Sequence, residues 1–123
     1  MFKYGIAQLT LHKVKEIANG NLKATIDSTA KEKIISCRKK VETITKNNKV
    51  VYGINTGFGP LCDVQISPEQ TSQLQTNLLI THAVGVGKNI DKNLSKIMMI
   101  CKVHALCQGF SGVRLELIER IIY

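Results

Sequence analysis

The sequence predicts a mainly α-helical fold with one or two short β strands, on three observations. Apolar residues recur at helical spacing over several segments. These segments open on residues that cap helix N-termini, such as Thr10, Ser67 and Asp91, and run into Asn or Gly at Asn19-Gly20, Asn47-Asn48 and Gly109. Extended character is confined to "NLKATID" and "VVYGIN", so the strands are expected near residues 22–26 and 50–55. With 123 residues, 44% of them apolar, the chain has the size of one domain and a globular composition.

Thr10 caps a short helix over Leu11 to Ala18, which Asn19-Gly20 ends. Ser28 or Thr29 opens a longer helix to about Thr45, with Ala30, Ile34, Ile35, Cys37, Val41 and Ile44 on its apolar stripe. "VVYGIN" is a short strand and "TGFGPL" a loop. Ser67-Pro68-Glu69-Gln70 then combines an N-cap, a proline at the first helical position and a capping-box glutamine. That helix carries Leu74, Leu78 and Leu79 and reaches about His82, where "GVGKN" stops it. Asp91 caps the next helix, to about Cys107, and Ser111 caps a last one that is still running at Tyr123. From Leu94 to Cys107, ten of fourteen positions are apolar and lie on most sides of the helix, so it requires burial all round. The last helix adds Val113, Leu115, Leu117, Ile118, Ile121 and Ile122. Both helices suggest a chain cut short, or one that self-associates.

The formal charge is +8, and it is uneven. Residues 1–49 hold eleven Lys and Arg against four acids, and residues 50–123 hold six against five. Most of the excess lies in "KEKIISCRKKVETITKNNK" among apolar residues at helical spacing, which reads as a solvated helix face. The aromatic interleaving of a single-strand binder is missing, so no nucleic-acid partner is expected. No stretch is apolar enough to span a membrane, and no secretory signal is recognisable. Cys37, Cys62, Cys101 and Cys107 include no CxxC pair, which suits reduced thiols in a cytoplasmic protein. Asn93-Leu94-Ser95 matches a glycosylation acceptor by chance.

Three motifs have plainer explanations. "GVGK" at 85–88 fails the phosphate-loop pattern, because the first glycine position is His82 and Lys88 precedes Asn89. Cys101, His104 and Cys107 follow one another by threes and carry zinc-type donors, but a fourth ligand is not apparent and buried Cys with a satisfied His is commoner; no metal is expected. "TGFGP" alone could be a turn loop, its glycines serving positive-φ positions.

Taken in order, "VVYGINTGFGPL", "LQTNLLITHAVGVG" and "IMMICKVHALCQGFSGVR" resemble the amino-terminal part of the aromatic amino-acid ammonia-lyases, and within them the histidine ammonia-lyases. The resemblance covers residues 50–122, with residues 1–49 fitting the family's opening segment loosely. It implies the helical ammonia-lyase (fumarase/aspartase-like) fold: an amino-terminal domain over 1–90, with the Tyr52 loop and the His82 helix, and the start of a central helical bundle over 91–123.

It also implies chemistry. These enzymes remove ammonia from an α-amino acid to give a trans-α,β-unsaturated acid, which for L-histidine is urocanate. A methylidene-imidazolone, formed from an Ala-Ser-Gly tripeptide, supplies the electrophile. Tyr52 matches the catalytic tyrosine that takes the Cβ proton. A phenol ordinarily titrates near pH 10, so such a base needs surroundings that favour the phenolate. Gly53, Thr56, Gly57, Phe58 and Gly59 match the mobile loop over the site, and Asn55 a substrate contact. His82 matches the residue facing the substrate ring, and Thr81-His82 resembles the Ser-His pair of the histidine enzymes. Relatives acting on tyrosine or phenylalanine carry other pairs.

The sequence holds no Ala-Ser-Gly; the nearest string is Phe110-Ser111-Gly112. The cofactor segment is expected beyond Tyr123, which makes this chain a fragment, inactive alone, of an enzyme that assembles as a homotetramer. Gln108 replaces a residue that is often basic in the family. The alternatives are a tyrosine or phenylalanine ammonia-lyase or aminomutase, a pseudoenzyme, and a non-catalytic helical binding module.

Overall fold

The computed structural model describes residues 1–47, 50–59, 64 and 66–123. The fold is mainly helical, and the chain forms two compact units, one of residues 1–39 with 89–123 and the other of residues 40–88.

In the first unit, β1 (Phe2–Tyr4) and β2 (Ala24–Ile26) pair in parallel, Phe2 opposite Ala24 and Tyr4 opposite Ile26. Parallel strands need a crossover connection, and α1 (Leu11–Ala18) supplies it. The Thr10 hydroxyl accepts from the Lys13 N–H at 3.4 Å, capping α1 as expected. The strand at 24–26 lies where the sequence placed it. Its partner is the first residues of the chain, for which no strand was expected.

α2 (Ser28–Lys46) begins where expected, but its cap is Asp27 rather than Ser28 or Thr29. The Asp27 carboxylate accepts from the Thr29 N–H at 2.9 Å and hydroxyl at 2.7 Å, and pairs with Lys3 at 3.2 Å. The Thr29 bonds first, then Lys3, hold that carboxyl below its ordinary pKa. Lys33, Lys39, Lys40 and Lys46 are exposed, so the basic run is a solvated face. Ala30 and Ile34 enter the core, whereas Ile35 stays exposed.

α4 (Lys92–Leu106) is capped by Asp91, whose carboxylate accepts from Asn93 and Leu94 N–H at 2.8 and 3.2 Å. It packs against α1 and against α5 (Leu115–Ile122). α5 starts later than Ser111 suggests. Gly112 sits at φ +65°, and Arg114 occupies the cap position without a side-chain cap bond. Ile100, Val103, Leu106 and Ile118 join Phe2, Tyr4, Val14, Ala18, Ile26, Ala30 and Ile34 in one core. α4 is thus buried along one stripe, while Leu94, Met98, Met99 and Cys101 remain exposed.

In the second unit, α3 (Pro68–His82) follows Ser67, whose hydroxyl accepts from the Gln70 N–H at 3.4 Å. Glu69, in its first turn, is held below the ordinary carboxylate range by a main-chain N–H and the Ser67 hydroxyl. Leu74 and Leu78 are half-buried, and Leu79 and Ile80 are exposed. Cys62, expected as a reduced thiol, lies outside the described residues, as does Asn48 of the expected helix stop.

Candidate active site

The segment expected to be a strand at 50–55 is a turn, and its hydrogen bonds explain why. The Ile54 and Asn55 N–H groups both donate to the Val51 carbonyl, at 3.1 and 3.3 Å. The Asn55 side chain then accepts from the Val51 N–H at 2.8 Å, taking the donor that a strand partner would need. Gly53, at φ +75°, donates its N–H to the Thr56 hydroxyl at 3.3 Å, and that hydroxyl donates to the Gly57 carbonyl at 2.9 Å. The loop returns through two main-chain bonds, Gly57 N–H to Val64 carbonyl at 3.1 Å and Ile66 N–H to Asn55 carbonyl at 2.9 Å.

This wiring divides the loop. Asn55 and Thr56 are buried, at 3% and 1% exposure, and form its foot. Tyr52 and Phe58 are exposed, Tyr52 at 65%, with ring centroids 6.0 Å apart in an edge-to-face arrangement. Gly59 also has positive φ, whereas Gly57 does not. The structural roles of Asn55 and Thr56 were not legible from the motif, although an Asn four residues after a turn's first residue is a familiar side-chain–backbone pattern.

Thr81 and His82 close α3, in the same unit as the loop, and both are exposed. The Thr81 hydroxyl donates back to main-chain carbonyls, Asn77 at 2.9 Å and Leu78 at 3.2 Å. His82 Nδ1 lies 2.9 Å from the Leu78 carbonyl and 3.1 Å from the Thr81 hydroxyl.

The first unit holds a cavity of about 590 Å³ between α1, β2, α4 and α5, and none of Tyr52, Thr81 and His82 lines it. Cys101 and Cys107 of the zinc-like spacing do not share an environment. Cys101 is exposed, whereas Cys107 is buried and its thiol is pushed up to about 11 by that burial. His104 is half-buried against the Phe2 and Tyr4 rings, and its Nδ1 accepts from the Gly5 N–H at 3.5 Å. Desolvation holds His104 below its ordinary pKa. Gln108 sits against the same ring, with Nε2 3.3 Å from the His104 carbonyl. Among the described residues, no three His, Cys, Asp or Glu side chains converge as metal ligands.

Residues 9–123 match the family of aromatic amino acid lyases, and the chain belongs to that family. The histidine ammonia-lyase of Streptococcus gordonii is 41% identical over 114 residues, which are 93% of this chain and 22% of that protein. The enzyme of the same name from Streptococcus pyogenes is 43% identical over the same shares. Among solved structures, a tyrosine aminomutase from Streptomyces globisporus superimposes with a TM-score of 0.88 at 26% identity, over 98% of this chain and 23% of its own. A histidine ammonia-lyase from Trypanosoma cruzi gives 0.84 at 29% identity, over 98% and 23%. The chain therefore spans about a fifth of the length of the relatives it matches.

Proposed function

We propose that the chain is the amino-terminal part of a histidine ammonia-lyase, which eliminates ammonia from L-histidine to give trans-urocanate. The observation that carries this reading is the 41–43% identity to histidine ammonia-lyases over 114 residues. Thr81-His82 at the end of α3 supports histidine over tyrosine or phenylalanine as substrate.

The chemical difficulty is the proton on Cβ, which is barely acidic. Tyr52 takes it at the phenolic oxygen. Asn55 positions that tyrosine by pinning the turn at Val51, and contacts the substrate at the loop's foot. His82, with Thr81 beside it, receives the substrate ring. Buried Asn55 and Thr56 anchor the segment while Tyr52 and Phe58 stay exposed, which supports reading Gly53, Thr56, Gly57, Phe58 and Gly59 as part of a closing loop. In the whole enzyme, residues 1–90 form the amino-terminal domain and 91–123 open the central bundle; within this chain, α4 and α5 pack onto the first residues.

In the whole enzyme a methylidene-imidazolone would supply the electrophile that makes the amine a better leaving group. These 123 residues do not fit that group: Ser111 follows Phe110, which is 88% exposed, and no Ala-Ser-Gly is present. The roles given to Tyr52 and His82 do not pass through it. The chain by itself is accordingly inactive, and the working enzyme is a cytoplasmic homo-oligomer, a tetramer.

The test is a chimaera in which this chain replaces the matching segment of the Streptococcus gordonii enzyme. The chimaera should release urocanate from L-histidine, read by its ultraviolet absorbance, and should act poorly on L-tyrosine and L-phenylalanine. Tyr52→Phe in it should lower turnover by about a hundredfold or more. A folded chimaera that makes no urocanate, or one indifferent to Tyr52→Phe, refutes the reading.

A further inference from the structure

His82 Nδ1 sits between two oxygens, and the nearer one has no hydrogen to offer it. The Leu78 carbonyl, at 2.9 Å, can only accept. The Thr81 hydroxyl, at 3.1 Å, has a single hydrogen, and its other neighbours are the Asn77 and Leu78 carbonyls at 2.9 and 3.2 Å. A bare Nδ1 would face the Leu78 carbonyl lone pair at 2.9 Å, whereas a protonated Nδ1 donates to it. With the proton on Nδ1, the Thr81 hydrogen goes to a main-chain carbonyl and its oxygen turns a lone pair toward Nδ1 as a second acceptor.

We propose that Thr81 and the Leu78 carbonyl form a tautomer lock on His82, keeping the proton on Nδ1 and presenting Nε2 as a bare acceptor for a ring that carries an N–H donor. This rests on the reading of His82 as the residue that receives the substrate ring, and it adds how that ring is selected. An imidazole N–H satisfies Nε2, whereas a phenyl ring leaves it unpaired and desolvated, a loss that discriminates strongly between substrates. Thr81 is in this account a positioning residue, acting through His82. A free histidine side chain in water favours the opposite tautomer, with the proton on Nε2, so the lock works against the intrinsic preference and is visible for that reason.

The experiment uses the 123-residue chain with ¹⁵N-labelled histidines and long-range proton–nitrogen correlation at about pH 8. His82 should show a protonated Nδ1 and a bare Nε2. Thr81→Ser should keep that pattern, and Thr81→Val should shift the ratio toward the Nε2–H form by about twofold or more, roughly the effect of half a net hydrogen bond. A wild-type His82 protonated on Nε2, or a ratio unmoved in Thr81→Val, overturns the proposal. No substrate enters these measurements, so their failure would leave the lyase reading standing. In the chimaera, Thr81→Val should raise KM for L-histidine by about as much as it lowers the Nδ1–H population, roughly twofold, with a smaller change in kcat, and Thr81→Ser should restore it. An unchanged KM would overturn the selection role, while absence of urocanate from the unsubstituted chimaera counts against the lyase reading alone.

Discussion

Gly5→Ala should destabilise the first unit far more than a glycine-to-alanine change usually does. Gly5 follows β1 at φ +86°, and a Cβ built there lies 2.6 Å from the Ala30 Cβ and 2.6 Å from the Cys107 carbonyl oxygen. Neither neighbour can swing aside: Ala30 is fully buried with no rotamer to change, and the other contact is main chain. Two costs therefore add. A left-handed conformation costs an L-residue about 1–2 kcal/mol. Overpacking a filled site costs about 1–3 kcal/mol. The total, about 2–5 kcal/mol, is a large part of the roughly 5–15 kcal/mol that holds a domain together. Gly20→Ala isolates the first term, because Gly20 has φ +80° with nothing within 4 Å of its added Cβ. Urea unfolding followed by helical circular dichroism measures both, with the slope expected to stay constant and the midpoint to move. Equal losses in the two variants would refute the close approach of Gly5 to Ala30 and Cys107.

Two further predictions concern the same core. Burial favours neutral His104 when folded, and the unfolded chain takes up that proton near pH 6.5. The folded state then binds fewer protons, so the contribution of His104 is complete above the unfolded value and is lost as pH falls below it toward the folded one. The urea midpoint should drop between about pH 7.5 and about pH 5.5, and His104→Gln should flatten that drop; an equally steep drop in the variant would show that His104 is not its source. Cys107 is buried with its thiol pushed up to about 11, whereas Cys101 is exposed. Iodoacetamide at neutral pH should label Cys101 and spare Cys107 until urea is added, read by peptide mass spectrometry; equal labelling in the folded chain would contradict the packing at the end of α4.

Much of the helical framework was legible because capping is a local affair. Thr10, Ser67 and Asp91 each accept from an N–H two or three residues ahead, so the sequence neighbourhood contains both partners. The errors fall where a distant or competing partner decides. β1 is three residues long and exists through pairing with residues 24–26, which no periodicity over "FKY" can announce. Residues 50–55 have strand-like composition, but the Asn55 side chain takes the Val51 N–H and folds them into a turn. Asp27 caps α2 through the Thr29 N–H, and its other carboxylate oxygen is held by Lys3 of β1, far away in sequence.

α4 shows where composition stops being informative. Ten apolar residues in fourteen predict burial on all sides, yet composition carries no address for the covering partner. The chain's own elements cover the stripe of Ile100, Val103 and Leu106 and leave Met98 and Met99 about half exposed. The candidate site divides the same way. Tyr52, the loop glycines and Thr81-His82 stand out by residue type, since a tyrosine among glycines and a histidine at a helix end are visible in a string of letters. Their working chemistry depends on directions that letters do not encode. In the proposed lock, the proton on His82 is placed by where the Leu78 carbonyl and the Thr81 hydroxyl point, and those directions exist once the last turn of α3 has formed. A threonine beside a histidine is thus readable as a motif, while the lock proposed for it can be argued only from the folded helix end.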